Sequence, residues 1–290
     1  MKMWFLLALS AALFQVLRNM VMKQIGHALD EYINVWGRFT FLLPFTLLMV
    51  WGKGIPPLRP GFWTVCLLFA CFQIISTLCL SKAFRFSDIS IVIPLWKLSI
   101  FVLMIFAYFT IHETPSSLGM VGVVISVIGV YALNIQKSRI SFWAPLQVLF
   151  TDRGLRYTLL AALFYAPSVI TIKQAILLSD PYFGVFIGYL LASLLLLPLV
   201  LSTSLSHFRR IPRFWKSFFG MGLFASLTSV TQGIAYKLTL SSYVEAVKQV
   251  EILFALAIGY AVFQERERVG EILPGCVMML IGIVLIKLST

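Results

Sequence analysis

Charge is what this sequence has least of. Asp, Glu, Lys and Arg make up 12% of its 290 residues, against 60% hydrophobic. A soluble domain carries about twice that charged share, so a water-exposed globular fold is excluded, and the mean hydropathy of +0.95 agrees. Cysteine is also scarce. Cys66, Cys71, Cys79 and Cys276 all lie in apolar runs and form no C-x-x-C pair, so they read as small buried hydrophobes and not as a disulfide framework or metal site. No G-x-x-x-x-G-K-[ST] loop occurs, which excludes an ATPase motor of that type. No H-E-x-x-H or comparable ligand spacing occurs, His27, His112 and His207 are scattered, and no G-x-S-x-G anchors a nucleophile. The expectation is therefore no enzyme, no metal and no cofactor. The net charge of +12 comes from Lys and Arg flanking apolar runs, where they meet lipid headgroups. Membrane lipid, not nucleic acid, is the expected partner.

What is present is a succession of apolar runs of roughly 20 residues, the length that crosses a bilayer as a helix. The spacing predicts ten spans, at approximately 3–24, 31–51, 61–82, 89–111, 115–135, 155–177, 182–202, 214–236, 242–264 and 269–288. Turn-forming stretches separate them, including WGKGIPPLRPG, HETPSS and LSDPY. The strict alternation of barrel strands is missing. The run after Lys2 has no small-residue cleavage site and is read as a retained span. Trp4, Trp36, Trp51, Trp63 and Trp215 fall near span ends, as an aromatic belt would.

The chain repeats itself. AALFQVLRNMVMKQ (11–24) matches AALFYAPSVITIKQ (161–174), Phe62-Trp63 matches Phe214-Trp215, and AFRFSDIS from 83 matches AYKLTLSS from 235. FTIHE ending at Glu113 matches AVFQE ending at Glu265, and Gly122 and Gly129 match Gly275 and Gly282. The offset is nearly constant, so the chain divides into a first five-helix unit (1–136), a linker (137–154) and a second unit (155–290). Five is odd, so the second unit lies upside down in the bilayer. The fold class is an all-α integral membrane protein built from two inverted repeats, an arrangement used by secondary transporters.

The ninth run, SYVEAVKQVEILFALAIGYAVF, holds Glu245, Lys248 and Glu251. On a helix these three and Gln249 share an arc of roughly 160°. Glu251 lies roughly 14 Å from the start of the span, near mid-bilayer at about 1.5 Å per residue. A charge there costs several kcal/mol unless it faces protein or a watery cavity. One reading is a self-satisfied ion pair in which Lys248 bridges both glutamates. The other is a substrate site with Glu251 as proton carrier. Lys97 is placed as a partner from the fourth span, on one face with Ser90, and Arg38 as another from the second. Trp96 and Tyr165 are the aromatics placed nearest a cavity. The expected substrate-binding set is Arg38, Ser90, Trp96, Lys97, Tyr165, Glu245, Lys248, Gln249 and Glu251. Arg18 reads as snorkelling to headgroups, Lys23 and Lys173 as helix-end anchors, and Glu113 and Glu265 as caps on the helix that follows each. The fifth and tenth spans carry small residues and little charge, the composition of a packing or homodimer surface.

WGRF around Arg38, SDISIVIPL before Lys97, the Glu113 and Glu265 closures and VEILFALAIGYAVFQE together resemble the paired EamA-type domains of the drug/metabolite transporter superfamily. The resemblance covers nearly the whole chain. It implies a ten-helix carrier of metabolites, amino acids or drugs in a bacterial cytoplasmic membrane, working by export or exchange through alternating access. Arg38, Lys97 and Lys248 against Glu245 and Glu251 leave a slightly positive balance, which fits a small polar metabolite such as an amino acid or a related zwitterion or anion. Proton-coupled efflux of cationic drugs or amines, and flipping of a lipid-linked head group, are the alternatives. Family members often carry proline after the glutamate at the Glu251 position. Ile252 stands there, so Pro94 predicts a break in the fourth span and nothing predicts one in the ninth.

Orientation divides the arguments. The resemblance implies both termini in the cytoplasm. The loops after odd-numbered spans, however, hold Lys82, Arg85, Lys137, Arg139, Arg209 and Arg210 among others, which puts those loops in the cytoplasm and the termini outside. On the charge reading, a cysteine introduced at Ser206 into a chain freed of its own cysteines resists a membrane-impermeant thiol reagent added to intact cells. Strong labelling overturns that orientation.

Overall fold

Lipid cannot hydrogen-bond a backbone, so a chain this apolar folds as helices that satisfy themselves internally. The computed structural model describes residues 2–26, 29–87, 89–138, 152–263 and 269–290, without the side chains of 23–26, 89–91, 94, 133–138, 259–263 and 269–273. The described residues are helical apart from turns and short connections. Helices α1 (Met3–Gly26), α2 (Glu31–Thr40), α3 (Leu43–Lys53), α4 (Phe62–Phe86), α5 (Ile89–Lys97), α6 (Ser99–Ile111) and α7 (Ser117–Ser138) form the first half. The second half comprises α8 (Arg153–Leu178), α9 (Pro181–Thr203), short α10 (Leu205–Phe208), α11 (Trp215–Leu238), α12 (Ser241–Lys248), α13 (Glu251–Phe263) and α14 (Val269–Leu288).

Among the described residues, six segments are long and apolar enough to cross a membrane: Met3–Met22, Glu31–Lys53, Phe62–Phe86, Arg153–Leu178, Pro181–Thr203 and Ile211–Leu238. Shorter apolar helices cover Leu95–Ile111, Ser117–Ala132 and Pro274–Leu288. Caps set several starts. Asp30 accepts from the Ile33 amide at 2.9 Å, and Asp180 accepts from Tyr182 and Phe183 at 2.7 and 2.8 Å. Asp152 caps α8 through Leu155 at 2.8 Å and also takes the Ser87 hydroxyl, which ties α8 to the end of α4. That hydroxyl holds the Asp152 carboxyl below its usual range. The link therefore persists through mildly acid pH and is lost only as pH falls through the lowered value.

Three apolar runs are broken. The second breaks at Phe41–Leu42, the fourth at Leu98 and the ninth at Gln249–Val250. At the last two the backbone tightens into three-residue hydrogen bonds: Leu98 to Leu95 at 3.2 Å, Phe101 to Leu98 at 3.0 Å, Val250 to Val247 at 3.1 Å and Ile252 to Gln249 at 3.1 Å. The expectation of an unbroken ninth helix is thus corrected. A proline is not needed, because a turn of 3₁₀ geometry does the same. The break also falls at the repeat counterpart of Leu98.

The strongest helix pairings are α4 with α8, α7 with α14 and α1 with α11. Exchanging the two halves maps the first of these onto the third and the second onto itself. Around them lies one large buried cluster that includes Phe39, Leu103, Val127, Ile176, Phe218 and Tyr236. The small residues of the fifth and tenth runs meet inside the chain. A Cβ on Gly282 would stand 2.4 Å from the Ser126 nitrogen, and one on Gly129 would stand 2.5 Å from the Met279 nitrogen. Backbone lies on backbone along this seam. Trp51, Trp63 and Trp215 are exposed, but Trp4 and Trp36 are buried, the latter against Phe208 at 5.2 Å. Those two belong to the interior and not to an interfacial belt.

Gly220 in α11 has nothing within 4 Å of an added Cβ. Gly220→Ala is expected to raise stability by up to about 1 kcal/mol through helix propensity, while Gly282→Ala lowers it. Thermal unfolding of the two variants in the same detergent checks the opposite signs.

Candidate functional site

The breaks place charge at helix ends in the middle of the bundle. Lys97 closes α5, Lys248 closes α12, and Glu251 opens α13. Cations suit the negative end of a helix and anions its positive end, so each of these charges is partly supported by its own backbone.

Glu251 is buried. Its Oε1 accepts from Lys97 Nζ at 2.5 Å and its Oε2 from Gln15 Nε2 of α1. Lys97 also lies over the Trp96 ring, 5.0 Å from its centroid. Glu245 forms a second knot. Its Oε2 accepts from the Tyr165 hydroxyl of α8 at 2.7 Å. Its Oε1 accepts from Gln232 Nε2 at 2.7 Å and Tyr236 Oη at 2.5 Å, both on α11, and from Lys248 Nζ at 3.1 Å. Lys248 therefore pairs with Glu245 and does not bridge both glutamates. The turn at Gln249–Val250 carries Glu251 away from it and toward Lys97. Lys248 stays within electrostatic range of both Glu251 and Lys97. Gln249 accepts from Ser126 of α7 at 3.3 Å.

Between the knots is a small cavity of about 20 Å³, partly open at its mouth. Trp96, Lys97, Ser99, Ile100, Leu103, Tyr165, Glu245 and Gln249 line it. Trp96 and Tyr165 pack edge to face at 5.4 Å, and the buried Trp96 Nε1 has no hydrogen-bond partner. Of the residues singled out in the sequence, Trp96, Lys97, Tyr165, Glu245 and Gln249 thus line one space, and Lys248 and Glu251 pair with residues of that lining. Arg38 is half-buried on α2 and hydrogen-bonds to no described residue. The Ser90 side chain lies outside the described residues. Gln15 joins the site from α1, one turn before Arg18, and Gln232 and Tyr236 join it from α11 without standing out in the sequence. Neutral polar residues in an apolar helix give only a weak signal, although Gln232 and Tyr236 stand one turn apart on one face.

A third buried knot lies away from this cavity. His112, at φ 52°, ends α6 in the left-handed region. Glu113 follows, accepting from Lys173 Nζ with Oε1 and from the Ser241 amide and hydroxyl with Oε2, the last two at 2.9 and 2.6 Å. Lys173 also donates to the Thr239 carbonyl at 2.6 Å. Two expectations are corrected. Glu113 caps α12 and not the helix that follows it, because its carboxylate is buried against the second half. Lys173 is 6% exposed and pairs inside the chain, so it is not a headgroup anchor. Glu265 and the Lys23 side chain, the repeat counterparts, lie outside the described residues.

Removing one member of a buried pair costs about 3–5 kcal/mol. Lys173→Met is therefore expected to lose that much stability, and Glu113→Gln with Lys173→Met to recover a large part of it. A thermal-unfolding cycle in detergent checks the recovery. A lysine that only anchored a helix end would change stability by less than about 0.5 kcal/mol.

None of the curated proteins matches this chain in sequence. Among solved structures, one titled only "Crystal structure of protein" superposes with a TM-score of 0.78 over 98% of this chain and 96% of its own, at 14% identity. That likeness establishes a shared fold. The model of the EamA-like transporter family matches twice, over residues 2–135 and 152–288. The chain is a multi-pass membrane protein belonging to the EamA-like transporter family, with two copies of the family's unit in tandem.

Proposed function

We propose that this chain is a secondary active transporter of a small polar metabolite, an amino acid or a related zwitterion or anion, that exports or exchanges its solute across a bacterial cytoplasmic membrane by alternating access. The carrying observation is the Lys97–Glu251 pair, largely shielded from solvent beside a polar cavity where two broken helices meet. Charge this deep in an apolar bundle marks a solute or ion path, and discontinuous helices supply such sites in transporters. Joining α2 to α3, α5 to α6 and α12 to α13 gives ten spans, five in each half. The exchange symmetry of the helix pairings supports halves of equivalent structure, and an odd number of spans in each makes them inverted.

Glu251 is the coupling residue in this reading. As a carboxylate it holds Lys97 and Gln15; protonated, it releases Lys97. Solute and proton then compete for one arrangement of charges, which is the requirement for coupled exchange. Lys97, Gln249, Trp96 and Tyr165 line the space a solute would occupy, and Glu245 holds Tyr165 and Lys248 in place.

The test uses purified protein in liposomes and a panel of labelled amino acids and small organic acids. The native chain is expected to accumulate a member of the panel against its gradient when a pH difference is imposed. Glu251→Gln loses accumulation and keeps exchange at equal pH on both sides. Unaltered pH-driven accumulation in the variant removes Glu251 from the coupling.

A further inference from the structure

The lysines of the central site are matched by carboxylates, Lys97 by Glu251 at 2.5 Å and Lys248 by Glu245 at 3.1 Å. The arginines are not. Arg18 of α1 is 5% exposed. Its guanidinium donates, among the described residues, only to Oδ1 of its own neighbour Asn19, from Nε at 3.3 Å and Nη2 at 2.9 Å. Arg38 of α2 donates to no described residue and lies within electrostatic range of Arg18, so the two cations repel each other. Tyr189, Tyr165 and Glu251 are also within electrostatic range of Arg18, which places Arg18 near the central site with Arg38 in range of it, and no described carboxylate comes within ion-pair distance of either arginine.

Two simpler roles do not fit. An arginine that snorkels reaches water with its head group, and Arg18 is buried. An arginine that braces a helix spends its donors on backbone carbonyls, and neither residue does so among the described residues. A guanidinium has five N–H donors in a planar fork that matches an oxyanion edge to edge. Two such cations within electrostatic range of each other, in surroundings of low dielectric, are stabilised when an anion sits between them. The tally sets its charge. Arg18, Arg38, Lys97 and Lys248 stand against Glu245 and Glu251, leaving two positive charges, which favours the anion over the zwitterion among the solutes proposed above.

We propose that Arg18 and Arg38 form an oxyanion site that binds the phosphate or dicarboxylate part of a small dianionic solute, next to the Lys97–Glu251 pair. Its role in transport rests on the transporter reading; its binding of anions does not. The solute is held by paired N–H···O bonds from the two forks, and its charge removes the repulsion between α1 and α2. Binding therefore draws these two helices together.

Thermal unfolding of the purified full chain in detergent tests this, with sodium phosphate, sodium succinate, glycine and sodium chloride at matched ionic strength. Phosphate or succinate is expected to raise the midpoint in a saturable way, and glycine and chloride are not. A response to phosphate alone assigns a phosphate group, and a response to succinate alone a dicarboxylate. Arg38→Gln is expected to weaken the response at least about tenfold in anion concentration, while its own midpoint without anion stays equal or rises because a repulsion is gone. Arg18→Lys, which keeps the charge but not the fork, weakens the response as well. No midpoint shift with either dianion, an unchanged response in Arg38→Gln, or a lowered midpoint in Arg38→Gln with an unchanged response each overturns the site. Anion stabilisation without uptake in liposomes counts against the transporter reading and leaves the oxyanion site standing.

Discussion

An ionised carboxylate buried in an apolar helical bundle is tolerated only if protein replaces the water it has lost. Glu251 imposes that requirement here, and much of the architecture answers it. Lys97 reaches it from α5 and Gln15 from α1. Those helices belong to the first half of the chain, Glu251 to the second. The same is true of Glu113, which gathers Lys173 and Ser241 across the halves. Apolar surfaces slide against lipid and against one another with little preference, because lipid tails are as apolar as Leu. The buried polar knots give the two halves a unique register.

The helix breaks serve the same need. An unbroken ninth helix would carry Glu245, Lys248 and Glu251 along one face, competing for the same neighbours. The turn at Gln249–Val250 separates them into two pairings, and the turn at Leu98 aims Lys97 at the one that lacks its own cation. A break also frees backbone groups, which are tolerable at this depth only inside protein. Val247, Gln249 and Val250 are accordingly buried.

Much of this was legible in the chain. Apolar runs and the AALF…KQ repeat identify the spans and the duplication, because length and recurrence survive without knowledge of packing. Glu251, Glu245 and Lys97 stood out because charge in an oily run needs a reason. Partner identity did not stand out. Which cation Glu251 takes depends on a turn that no proline announces. Glu113 read as the cap of α7 from its place in the chain, yet the left-handed His112 turns it toward α12. Lys173 looked like an anchor because it ends a repeat motif. Arg18 looked like a snorkelling side chain because only the bundle around it decides whether its head reaches water.

The Glu113 knot has a consequence for the order of events at its end of the molecule. One carboxylate there satisfies a lysine, a hydroxyl and a backbone amide, all of them shielded from solvent. Any motion that parts α12 from the end of α6 strips the Ser241 amide and hydroxyl from Glu113 together, and splits the two contacts of Lys173 on α8, to Glu113 on one side and Thr239 on the other. In a dry interface that loss has no compensation, whereas hydrated groups surrender each other at little net cost. Separation of those helices would therefore need water to enter the crevice, and the entry of a few water molecules would limit its pace more than the mass of the elements.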